Sequence, residues 1–169
     1  MQIIIREAQT TDAAALIEHV RQIAAEPDID VPLQAEEFTM TVAEEEQIIQ
    51  EIADSDNSLF LVAEHRGQIV GHLSCRGGKR QAMRHATELG ISIQRSWRGQ
   101  GIGGQLMEAA IAWAKPSTIV KRIELKVYAR NRVAIHLYEK FGFQVEGRRK
   151  RAIYHNREYL DDFIMALQI

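Results

Sequence analysis

Gln94-Arg95-Ser96-Trp97-Arg98-Gly99-Gln100-Gly101-Ile102-Gly103-Gly104 joins a predicted strand, Thr87 to Ile93, to a predicted helix beginning near Gly101. Four of its last six residues are glycine, so backbone N–H groups can approach a ligand with no Cβ in the way. The helix that follows leaves its first N–H groups unpaired and carries partial positive charge at that end. Together these make a cradle for phosphate or pyrophosphate, with Arg98 at its lip adding a full positive charge. A P-loop is excluded because Gln105-Leu106 stands where Lys-Ser or Lys-Thr is required. Gly99, Gly101 and Gly104 spell the dinucleotide fingerprint G-x-G-x-x-G. That fingerprint belongs to the first strand-to-helix turn of a doubly wound sheet, however, and here it falls past the middle of the chain. The acidic residue ~20 positions on would be Glu124, in mid-strand. A glycine-rich turn with no ligand is the remaining alternative.

Arg98, Gly101 and Gly103 also spell Arg-x-x-Gly-x-Gly, which closely resembles the pyrophosphate loop of the GNAT superfamily of N-acetyltransferases. A second stretch, Asn131-Arg132-Val133-Ala134-Ile135-His136-Leu137-Tyr138-Glu139-Lys140-Phe141-Gly142-Phe143, is similar to the last helix of that family. The resemblance implies acetyl-CoA as co-substrate, with no metal. It implies that the backbone of Ile91, Ser92 and Ile93 pairs with pantetheine. The diphosphate would lie on Arg98, Gly99, Gln100, Gly101, Ile102, Gly103 and Gly104, and Asn131, Ala134 and Tyr138 would contact the cofactor. Asn131 reads equally well as a plain helix N-cap. Tyr138 is the implied general acid, its phenol donating to the departing thiolate; otherwise it is a helix tyrosine with a buried ring and a wet hydroxyl. Many relatives place Pro where Gln94-Arg95 stands, so the strand end is expected to be less sharply set here.

Glu88 shares a strand face with Gly90 and Ser92 and is the candidate general base for deprotonating the acceptor amine; the alternative is an exposed strand-end carboxylate. His85, Asp161 and Asp162 are further candidates, each more readily read as surface structure. Cys75, the only cysteine, lacks a His partner in sequence and is not assigned as a nucleophile.

Outward from these motifs, residues 2–7 read as a strand. Thr10-Thr11-Asp12 offers N-cap oxygens to a helix running to Ala24, with Leu16, Ile17, Val20 and Ile23 on one face. Residues 26–40 are irregular. Thr41 and Glu44 form a capping-box pattern opening a second helix. Ser58–Glu64 and Ile69–Cys75 read as a hairpin, and Gly77-Gly78-Lys79-Arg80-Gln81 as a basic loop. That loop is either a solvated hairpin tip or an attractor for the nucleotide end of the cofactor. Pro116 stops the helix after the glycine loop. Arg122–Tyr128 alternates as a half-buried strand, Asn131 opens a helix ended by Gly142, and two strands, 143–154 and 158–167, close the chain. The predicted order is β-α-α-β-β-β-α-β-α-β-β, a mixed α/β (α+β) domain. The resemblance implies a mainly antiparallel seven-stranded sheet with helices on both faces, one domain over 1–169.

The apolar fraction of 46%, the charged fraction of 26% and a net charge of −2 describe an ordinary globular chain with no bulk attraction to nucleic acid or anionic membrane. The N-terminal apolar run is too short for a signal peptide, and none reaches the ~20 residues of a membrane span. A cytoplasmic location follows by default. The expected activity is acetyl transfer to a primary amine of a small molecule, an amino acid or polyamine-like, by direct attack in a ternary complex. The acids in residues 28–37 could equally attract a protein lysine or N-terminus, and a non-catalytic acyl-CoA-binding module also fits the cradle. A homodimer is common in such folds, and the sequence locates no exposed apolar patch.

Overall fold

The apolar run Leu59-Phe60-Leu61-Val62-Ala63 is buried throughout, as expected of a strand covered on both faces. It belongs to β2 (Leu59–His65) of a seven-stranded sheet. The computed structural model of the protein describes residues 2–169. In chain order, β1 (Ile4–Glu7) leads through a 3₁₀ turn to α1 (Ala13–Ala24) and α2 (Val42–Ala53). Then come β2, β3 (Gln68–Gly77), β4 (Ala86–Ile93), α3 (Ile102–Ala114), β5 (Arg122–Tyr128), α4 (Arg132–Lys140), β6 (Gln144–His155) and β7 (Glu158–Gln168). The sheet order is β1-β2-β3-β4-β5-β7-β6. Every neighbouring pair is antiparallel except β4 with β5.

Alternation along each strand divides its side chains between two layers. Phe60, Val62 and Ile69 pack with Ala13 and Leu16 of α1 and Ile49 and Ile52 of α2. Leu61, Leu73, Leu89, Ile123, Leu125 and Met165 face the other way, against Ile102, Leu106 and Met107 of α3 and Ile135 and Tyr138 of α4. Arg66 and Gly67 both take positive φ (49° and 82°), the pairing a two-residue hairpin turn requires.

Element order and boundaries follow the sequence-based expectation within a few residues, with two differences of cause. Thr41 and Glu44 do form a capping box. Asp12, by contrast, does not cap α1 with its side chain. Both its oxygens are taken by the Arg6 guanidinium, and one also accepts from the Gln9 N–H, so residues 10–12 wind as a 3₁₀ turn. The alternation of β5 fails at its last residue. Tyr128 points to the polar side yet is only 3% exposed, because the segment following α1 covers it through Asp30 and Arg130.

Candidate active site

Strands β4 and β5 pair only at Ala86↔Arg122, Thr87↔Ile123 and Glu88↔Glu124. Beyond that point β4 stays with β3 as far as Ile93↔Gly71, and β5 stays with β7 as far as Tyr128↔Asp162. The sheet therefore splits into a wedge, and one edge of β4 from Leu89 to Ile93 lacks a strand partner. Buried backbone polar groups demand partners, and an extended chain carrying amides could supply them by strand addition. Ile91 and Ile93, partly buried, pack their side chains against the core on the α3 side, and their backbones form the unpaired edge. Ser92 points to the α1 side.

The glycine loop lies at the open end of β4. Gly99 and Gly101 have φ of +74° and +81°, a conformation that L side chains reach only with strain. A Cβ built at Gly99, Gly101 or Gly104 would meet nothing within 4 Å, so these residues border open space. Gly103 differs: a Cβ there would come within 3.2 Å of Leu137 and 3.4 Å of Ile93. It therefore lets α3 pack against α4. The first helical hydrogen bond of α3 runs from Gln105 N–H to Gly101 C=O at 3.1 Å, which leaves the preceding N–H groups free to meet an anion. Ile102 buries its side chain and can offer only its N–H. The Gln100 amide folds back onto Ser96 C=O at 2.9 Å.

Arg98 does not stand free at the lip. Its Nε donates to Ile93 C=O at 2.9 Å, and its guanidinium is ion-paired with Glu26 at 2.5 Å. The pair with Glu26 offsets part of the expected charge, one Nη remains without a partner among the described residues, and Arg98 ties the loop to the end of α1. The absence of proline at 94–95 is compensated by similar ties. The Gln94 amide donates to Gln22 and to Ile69 C=O, and Arg95 N–H donates to Glu26. The basic loop 77–81 follows β3 and precedes β4. It therefore sits at the opposite end of β4 from the glycine loop, away from any anion cradled there, and behaves as a hairpin tip.

On α4, Asn131 Oδ1 accepts from Ala134 N–H at 3.1 Å, which makes it an N-cap and leaves its NH₂ group to donate elsewhere. Tyr138 is 6% exposed and packs in the cluster that also contains Ile91, Ile93 and Ala134. Burial pushes its phenol up to about 12, so it stays a proton donor throughout the physiological range. Glu88 lies on the opposite face, at the vertex of the wedge, with its side chain 53% exposed and 2.9 Å from Lys126 Nζ. It lines a cavity of about 320 Å³ with Arg122, Glu124, Lys126, Glu146 and Ile164. A group acting on a leaving thiol and a group acting on an incoming amine would therefore work from opposite faces of the split.

The sequence reading missed a polar cluster behind β4. Ser92 Oγ lies 2.9 Å from His19 Nε2 and 3.3 Å from His72 Nδ1. Burial holds both imidazoles neutral, pushing His19 down to about 4 and His72 to about 3. The available signal was the placement of His19 between Leu16 and Ile23, at helical spacing on the buried stripe. The other sequence candidates do not gather here. His85 precedes β4, remote from the wedge opening. Asp161 pairs with Arg148, and Asp162, 1% exposed, pairs with Arg149. Cys75 is fully buried, and burial pushes its thiol up to about 12. Among the described residues no group of His, Cys, Asp or Glu is arranged to hold a metal ion, and no helix is long and apolar enough to cross a membrane.

A split sheet with a glycine cradle at its open end can receive one extended ligand, its amide-bearing chain along β4 and an anionic group on the loop. The model of the acetyltransferase (GNAT) family matches residues 19–143, and the chain belongs to that family; it is an acetyl-CoA-dependent N-acetyltransferase. It is 32% identical over 170 residues to the L-amino acid N-acetyltransferase AaaT of Escherichia coli (strain K12), covering 98% of this chain and 97% of that protein. The GNAT-family acetyltransferase of Streptococcus pneumoniae superposes with a TM-score of 0.95 at 34% identity, over 99% of both chains. The yncA protein of Salmonella typhimurium, solved with its cofactor acetyl-CoA, shares the fold with a TM-score of 0.85 at 19% identity, over 98% of this chain and 93% of that one. Acetyl-CoA is the co-substrate.

Proposed function

We propose that this enzyme transfers the acetyl group to the primary amine of a small molecule of amino-acid size, by direct attack within a ternary complex. The observation that carries this reading is the wedge, whose unpaired β4 edge runs between Tyr138 on the α3 side and Glu88 on the α1 side. A thioester lying along Leu89–Ile93 could be attacked from one face while its sulfur departs on the other. The diphosphate would rest on the amides of Gly99–Gly104, and a main-chain N–H of β4 would hold the carbonyl oxygen as it becomes an oxyanion. Glu88 takes a proton from the ammonium, directly or through water. The amine nitrogen forms the new C–N bond and the C–S bond breaks; Tyr138 donates its proton to the thiolate, the second proton shed by the nitrogen as it becomes an amide restores the phenol, and the first leaves through Glu88 to solvent. The burial of Cys75 argues against an acyl-enzyme, and the whole-length similarity to an L-amino acid N-acetyltransferase supports a small acceptor.

The test is thiol release from acetyl-CoA across free amino acids, simple amines and peptides, with both substrates varied. Release that requires both substrates, with intersecting double-reciprocal lines and faster turnover of free amino acids than of peptides, is expected. Parallel lines would establish a covalent intermediate, and preference for peptides would place the acceptor on a protein.

A further inference from the structure

We propose that Arg130 and Tyr128 form the recognition site for the acceptor, the Arg130 fork taking the carboxylate of an α-amino acid and the Tyr128 hydroxyl oxygen accepting an N–H from its nitrogen. The proposal rests on the reading that the acceptor is a small amine.

The pairing of β4 with β5 ends at Glu88↔Glu124. Counting forward by equal steps sets Gly90 level with Lys126 and Ser92 level with Tyr128, all on the α1 side of the wedge. Tyr128 thus lies on the β5 border of the wedge, on the same side of the sheet as Gly90 and Ser92. Its hydroxyl is buried without a hydrogen-bond partner, a cost that native structures rarely leave uncompensated. Burial raises its phenol, with Asp30 adding to the shift and the Arg130 guanidinium opposing it, so the hydroxyl stays protonated and its oxygen is free to accept.

Arg130 lies over this ring, with its guanidinium carbon 5.9 Å from the centroid. Its neighbours are more fully engaged. Arg149 grips both oxygens of Asp162 through two nitrogens, and Arg122 does the same to Glu146. Arg130 gives only its Nε to Asp30, at 2.8 Å, while an Nη stands 3.8 Å from Glu158. The fork of Arg130 is therefore the one left open beside Tyr128, and a planar fork matches a carboxylate in two parallel bonds. An α-amino acid carries carboxylate and amine on the same carbon, which suits a guanidinium stacked over a phenol. Asp30, on the irregular segment between α1 and α2, holds Arg130 in place when no acceptor is bound and competes with its carboxylate.

The experiment compares the best free L-amino acid of a proteinogenic panel with its carboxamide and its decarboxylated amine. The wild type, Arg130→Gln, Tyr128→Phe and Asp30→Asn are assayed at saturating acetyl-CoA. The wild type is expected to favour the free acid through a lower KM. Arg130→Gln raises that KM by about tenfold or more while leaving the KM of the amide, the kcat and the KM for acetyl-CoA nearly unchanged. Tyr128→Phe raises the KM of all three acceptors alike, and Asp30→Asn lowers the KM of the free acid. Equal losses on acid and amide in Arg130→Gln, no wild-type preference for the acid, or a raised KM in Asp30→Asn would overturn the assignment. Calorimetric titration of the amino acid into the CoA complex separates the two readings. Binding that Arg130→Gln abolishes, without turnover, would sink the proposed reaction and keep the recognition site; no binding to the wild type would sink the site.

Discussion

Gly101→Ala separates the strain of the loop from its function, because the hairpin turn supplies a matched control. Gly101 and Gly67 have φ of +81° and +82°, and a Cβ at either would meet nothing within 4 Å. Each substitution therefore adds the same backbone penalty, roughly 1–2 kcal/mol for a left-handed L residue, and no clash. For a chain of this size the melting temperature should fall by about 2–8 °C in both variants. Only Gly101 opens the helix that would receive the diphosphate. Relaxation of the strained loop turns at least one N–H away from the anion, and a hydrogen bond to a charged group is worth about 1.5–3 kcal/mol. The dissociation constant for CoA should then rise by about 10- to 150-fold in Gly101→Ala and stay unchanged in Gly67→Ala. Calorimetric titration of CoA and a thermal melt of each variant supply both numbers. Matched melting losses with unaltered CoA affinity in Gly101→Ala would refute the reasoning.

Tyr138→Phe should lower kcat by about 10²-fold and spare acetyl-CoA affinity; an unchanged kcat removes the phenol from the reaction. With its phenol at about 12, the wild-type rate should show no loss from Tyr138 ionisation at pH 9. Glu88→Gln should lower kcat by a similar factor near neutrality. The deficit should narrow toward pH ~10, where the amine arrives already deprotonated; a deficit constant with pH contradicts a base at Glu88. His19, lowered from 6.5 to about 4 in the folded chain, contributes stability that is fully present above pH 6.5 and is lost as pH falls toward 4. The unfolded chain takes up the proton first, and the difference reaches about 3 kcal/mol. Urea midpoints from pH 7.5 to 4 should therefore fall more steeply for the wild type than for His19→Gln, and parallel curves would contradict the burial argument.

The features legible in the sequence are those written locally. The glycine spacing of residues 99–104, the alternation Ile123, Leu125, Val127 and the Thr41–Glu44 box each announce an element through residues a few positions apart. The features that escaped join distant segments. Arg98 and Glu26 are ion-paired, although nothing in either neighbourhood signals the other, so the charge expected at the loop lip is shared with a contact inside the fold. Ser92 meets His19 across 73 residues, and Arg130 meets Asp30 across 100. Such pairs leave no periodic trace, and only the packing of α1 and the segment after it onto the split sheet brings them together. Tyr128 shows the same effect, since β alternation assigns it to a solvated side that the segment following α1 covers.

If the unpaired edge of β4 and the free amides of the glycine loop hold one ligand between them, residue-resolved amide exchange with and without CoA shows it most directly. Slowed exchange confined to Leu89–Ile93 and Gly99–Gly104, with the Arg66–Gly67 turn unaffected, is the predicted outcome. Protection that appears elsewhere, or none at either stretch under saturating CoA, would contradict it.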